Sequence, residues 1–135
     1  MTFAKWVFTL GGLFGLIMIT PLFFLEGEMA RMSGAAISQP ENYYGFVGVT
    51  FAWQLVYLVI GRNPAPYRPI MLLGALGKLI FAGACWTLAY QGRTPIFTAV
   101  IASPDILLAI RFVVAWFKSK PERVQPAPPE APAAI

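Results

Sequence analysis

Four long apolar runs, over residues 6–25, 43–61, 69–90 and 94–117, constrain this chain more than any other feature. The first two carry no charge, the third holds only Lys78, and the fourth holds only Asp105 and Arg111. At about 1.5 Å per residue, runs of this length reach roughly 30 Å, the thickness of a bilayer's hydrocarbon core. In lipid every backbone N–H and C=O has to be satisfied within its own segment, so each run is expected to be a helix. Composition agrees: 58% of the chain is hydrophobic and 12% is charged, about half the charge of a soluble domain. The expected fold is all-α, an integral membrane four-helix bundle.

The connections decide the topology. Arg62 to Arg68 joins the second and third runs, and Gln91 to Arg93 joins the third and fourth. Turns this short make antiparallel neighbours and an up-down bundle. Gly61 and Asn63-Pro64-Ala65-Pro66 stop the second run, and Pro69 suits the first turn of the third. The longer connection from Glu26 to Asn42 has room for a short interfacial helix. The four spans make one domain over residues 1–119. A Pro- and Ala-rich tail over 120–135, with Pro126, Pro128, Pro129 and Pro132, is expected to be disordered and cytoplasmic.

Basic residues orient the bundle. Lys5, Arg62, Arg68, Lys118, Lys120 and Arg123 fall on one side, against Arg31 and Arg93 on the other. The positive-inside rule then places both termini in the cytoplasm. The first run follows Lys5 as in a secretory signal, yet no small-x-small site follows closely, so it reads as an uncleaved anchor. The excess of base is accounted for by orientation and anionic lipid, and no nucleic-acid partner is expected. With no His and one Cys, Cys85, the usual metal ligands and nucleophile–base sets are missing; no cofactor, metal site or catalytic residue is expected. Gly74-Ala75-Leu76-Gly77-Lys78 superficially suggests a phosphate loop. Leu72 and Leu79 stand where a Gly and a Ser or Thr are needed, inside an apolar span, and the match fails.

Chemistry is left to the few polar groups inside the spans. Lys78 lies about 15 Å above Arg68, and Asp105 about 15 Å below Pro95 in an antiparallel run, so both reach mid-span. Gln54, in the second run, arrives at the same depth. A lone Lys or Asp at the centre of a helix in lipid costs about 2.5–3.5 kcal/mol on insertion scales. A Lys78–Asp105 pair, ionic or neutral, with Gln54 as third member, is therefore expected. Ser103-Pro104 reads as an N-cap and first turn, which would set Asp105 at a helix N-terminus and free carbonyls near residues 100 and 101. Arg111 points some 120° away from Asp105, at about 100° per residue, toward inner-leaflet phosphates. Tyr43, Val47, Thr50, Gln54, Tyr57 and Gly61 form one helical face, a bundle seam or the lining of a ligand cleft to which Thr50 and Tyr57 would contribute.

The stretches Tyr43-Tyr44-Gly45-Phe46-Val47-Gly48 and Ala52-Trp53-Gln54 resemble those of small bacterial four-span membrane proteins with no assigned activity. The span count and size are similar to DoxX-like four-helix proteins. Neither resemblance carries over a functional residue. Small multidrug transporters share the size but need an acid in the first span, and residues 6–25 contain none. The expected function is non-enzymatic: binding of an apolar or lipid-like molecule, or service as an accessory subunit of a membrane complex or homo-oligomer. The alternative is a proton-coupled transporter or channel using the Asp105 and Lys78 pair.

Overall fold

The computed structural model describes residues 2–121; most of the expected tail, from residue 122 onward, lies outside the described residues. Among the described residues the secondary structure is entirely helical. The segments are α1 (Thr2–Ile19), α2 (Glu26–Ser33), α3 (Pro40–Arg62), α4 (Arg68–Tyr90), α5 (Ile96–Ala102) and α6 (Pro104–Lys118). Four stretches are long and apolar enough to cross a membrane: Thr2–Phe23, Pro40–Arg62, Ala65–Tyr90 and Ile96–Lys118. The fourth is broken, with α5 and α6 separated at Ser103-Pro104.

Local sequence explains the boundaries. Pro21 lies in the 3-10 turn Thr20–Phe23 that ends the first stretch, as expected where proline removes a donor. The room between Glu26 and Asn42 is used by α2, which ends at Gly34 in the left-handed conformation (φ 74°), where a Cβ would be strained. Pro40 opens α3, and Asn63 ends it in extended backbone. The antiparallel packing of the long helices brings the start of α1, the end of α3, the start of α4 and the end of α6 together. Thr9 meets Gly61, Lys118 lies over the Phe3 ring, and Arg68 donates from Nη2 to the Trp116 carbonyl at 3.1 Å. This end carries Lys5, Arg62, Arg68 and Lys118 and is called the basic end below.

Helices α1 and α3 form one close pair, and α4 with α5 and α6 the other; α3 and α4 scarcely touch. The pairs are joined toward the basic end by aromatic rings. Phe8 stacks on Phe112 with centroids 4.2 Å apart, and Tyr57 meets the edge of Phe112 at 4.8 Å. Ala4, Ile60, Met71, Ala75, Ala109 and Ala115 complete this core. Further from the basic end, Ala82, Cys85 and Ala102 let α4 approach α5 closely. The stripe of α3 is the seam of the bundle: Val47, Gln54, Tyr57 and Gly61 are all buried. Large apolar side chains such as Trp6, Ile17, Val49, Ile80 and Phe97 face outward.

Glycines set how closely α1 and α3 approach. A Cβ on Gly12 would lie 2.9 Å from the Gln54 carbonyl oxygen and 2.9 Å from Leu58 Cδ2, whereas one on Gly45 would meet nothing within 4 Å. Gly12→Leu is therefore expected to cost about 1–3 kcal/mol by overpacking, and Gly45→Leu close to nothing. Denaturant unfolding of the two variants in detergent checks this; equal stabilities would refute the close-packed α1–α3 seam.

Candidate functional site: an ion pair at mid-span and a lateral groove

Lys78 and Asp105 are brought together by α4 and α6. Lys78 Nζ donates to Asp105 Oδ1 at 2.8 Å, with side-chain exposures of 10% and 25%. Lys78 stands one turn beyond Gly74, whose missing Cβ leaves space for the Tyr57 ring. Tyr57 in turn faces the ammonium, 5.5 Å from ring centroid to Nζ, a distance at which the ring's negative face attracts a cation. Tyr57 is thus the residue of α3 that reaches the pair.

Gln54 stands apart from them. Its Nε2 donates to the Thr50 carbonyl at 2.9 Å, within α3, and its side chain packs against Gly15 of α1. Its Oε1 is buried without a hydrogen-bond partner. Counting along the helix set Gln54 level with the pair, but azimuth turns it toward α1. Thr50 contributes its backbone carbonyl to Gln54 and is half-buried on the same seam.

The break between α5 and α6 differs from the expected cap. Ser103 is helical (φ −61°, ψ −34°) and makes no side-chain capping bond. Its hydroxyl turns back and donates to the Ala99 carbonyl at 2.9 Å, while its N–H shifts to the Val100 carbonyl at 3.2 Å. Pro104 has no N–H to give Val100, and the shifted serine amide satisfies that carbonyl in its place. The hydroxyl then satisfies the Ala99 carbonyl that the amide left. Trp86 Nε1 donates to the same hydroxyl oxygen at 3.1 Å, tying the break to α4. Asp105 lies in the first turn of α6 as expected.

A second feature was not foreseen. A groove of about 590 Å³ runs between α1 and α6, lined on α1 by Phe3, Trp6, Val7, Leu10, Gly11 and Phe14. Pro104, Leu107, Leu108 and Arg111 line it on α6. None of Gln54, Lys78 and Asp105 reaches it. The lining residues recur at three- and four-residue spacings on faces that adjoin the core: Val7 packs against it, and a Cβ on Gly11 would lie 3.5 Å from the Phe112 ring. The available signal was that offset of Arg111 from Asp105; which helix lies beside it cannot be read from periodicity. The volume falls in the range of ligand sites, roughly 300–1,000 Å³.

No family model, curated protein or solved structure matches the chain. The geometry therefore carries the functional argument alone.

The ion pair makes a direct stability test. Removing one partner leaves the other charge buried, so Lys78→Ala and Asp105→Ala are each expected to lose about 3 kcal/mol, the low end for a buried pair because Asp105 keeps a quarter of its side chain open. The double replacement Lys78→Met with Asp105→Leu is expected to recover most of that loss, since matched apolar residues commonly substitute for a buried pair. Reversible unfolding in micelles measures all three variants. Losses that simply add in the double variant would show that the two residues do not stabilise one another.

Proposed function

We propose that this is a small non-enzymatic protein of the bacterial inner membrane, with both termini cytoplasmic, that binds an apolar or lipid-like molecule in the groove between α1 and α6. The groove is the observation that carries the reading. Its walls are apolar apart from Arg111, and Leu10, Phe14 and Leu107 on them remain exposed. Four membrane-length helices and the gathering of Lys5, Arg62, Arg68 and Lys118 at one end support insertion and orientation under the positive-inside rule. Lys78 and Asp105 bond to one another, which suits a pair that locks α4 onto α6.

Binding is tested by native mass spectrometry of protein extracted in mild detergent. Wild type is expected to retain one lipid-sized molecule. Leu10→Trp with Leu107→Trp, which fills the groove from exposed positions, should retain at least about tenfold less, the equivalent of about 1.4 kcal/mol. Equal retention by the filled variant would remove the groove as the site.

A second reading rests on Asp105. It lies at a helix break, paired to a lysine and a quarter exposed, the setting of a carboxylate that exchanges protons in a transporter. In liposomes with an imposed pH gradient, that reading expects proton flux above protein-free vesicles, abolished by Asp105→Asn in folded protein. Flux retained in the variant, or absent in wild type, would sink it.

A further inference from the structure

Resting on the groove reading above, we infer that the occupant is an anionic phospholipid, its phosphate held by Arg111 and an acyl chain laid along Leu10, Phe14 and Leu107. One charge in the spans is unbalanced. Among the described residues two ion pairs form, Glu28 with Arg31 and Lys78 with Asp105, and Arg111 is in neither. It lies about 10 Å along α6 from Lys118, within an apolar span, where an uncompensated guanidinium is costly. Asp105, on the same helix, is committed to Lys78. The other described carboxylates, Glu26, Glu28 and Glu41, lie in α2 and in the first turn of α3, at the end opposite the basic one.

The surroundings of Arg111 are suited to an anion with an apolar tail. Lys118 Nζ lies 4.5 Å from the centroid of Phe3, which lines the groove. Lys5 and Trp6 line a smaller adjoining cavity of about 320 Å³, and Trp6 is common to both. Lys118 and Lys5 thus lie toward the end of the groove nearest the basic end, and Arg111 lines the groove about 10 Å further along α6. From that end α1 presents Trp6, Leu10 and Phe14 along its length, a run of about 12 Å. A guanidinium presents a planar fork of donors that matches phosphate oxygens, and its long stem lets the charge rise toward the headgroups. Charge at one end and an apolar track beyond it describe a two-part ligand, headgroup and chain, whose polarity runs along the bundle axis.

The test uses the full chain in detergent, incubated with equal amounts of dioleoyl phosphatidylglycerol and dioleoyl phosphatidylcholine, with the bound ratio read by native mass spectrometry. Wild type is expected to favour the anionic lipid, and Arg111→Gln to reduce the preference at least about fivefold, the effect of one interfacial cation. Arg111→Lys should keep part of the preference. Arg62→Gln, at the basic end but outside the groove, should leave it unchanged. Helicity and thermal unfolding confirm that each variant is folded. An equal fall for Arg62→Gln would assign the preference to general surface charge and overturn the inference. No preference in wild type, or one untouched in Arg111→Gln, while the groove-filling tryptophans still expel lipid, would overturn the inference and leave the groove reading standing. Retention of neither lipid by wild type would bring down both.

Discussion

Phe112 holds the bundle together, because three helices meet at its ring. Phe8 of α1 stacks on it and Tyr57 of α3 meets it edge-on, and a Cβ on Gly74 of α4 would lie 3.5 Å from it. Aromatic pairs of this kind contribute about 0.5–1.5 kcal/mol beyond the area they bury. Around this contact α1 packs directly on α6, while α3 and α4 scarcely touch. The stacked Phe46 and Phe81 rings, 5.4 Å apart, are a further bridge between α3 and α4. Small residues elsewhere follow from the same requirement. Gly74 makes room for Tyr57, and Ala109 and Ala115 share the core with Phe112.

The polar groups are arranged around this aromatic centre. Tyr57 bridges from Phe112 to Lys78, so the ring that joins the pairs also shields one side of the ammonium. Lys78 and Asp105 then join α4 to α6. The Pro104 break places Asp105 in the first turn of α6, bonded to the ammonium. Ser103 absorbs the damage to the hydrogen-bond ladder: its amide bonds Val100 and its hydroxyl bonds Ala99. A proline inside a long helix commonly leaves carbonyls exposed. Here one serine satisfies the Ala99 and Val100 carbonyls.

How much of this was legible depends on which coordinate of a helix a residue reports. Length and charge along the chain report axial position, and there the reading was close. The run expected at 43–61 is α3 at Pro40–Arg62, and that expected at 69–90 is α4 at Arg68–Tyr90. Axial counting also matched Lys78 to Asp105. Azimuth relative to a neighbour is a different quantity. Periodicity identified the stripe through Gln54 and Tyr57 but left open which helix each residue faces. Gln54 turned out to face α1 through Gly15, and Tyr57 to face α4 through Gly74. The groove was hidden for the same reason, because it exists only where α1 lies beside α6.

On α6 the division by azimuth separates two tasks that the composition alone merges. Asp105, Ala109 and Phe112 recur at four- and three-residue intervals and face the pair and the core. Pro104, Leu107, Leu108 and Arg111 occupy the neighbouring face and line the groove. The two charges of this helix therefore meet different demands. Asp105 is neutralised within the protein, by a lysine that shares its depth. Arg111 has no described carboxylate on its face and lies nearer the basic end. A helix that carried both charges on one face could have paired them with each other, at i and i+3 or i+4. Their separation by six residues forbids that, and Asp105 pairs with Lys78 of the neighbouring helix instead.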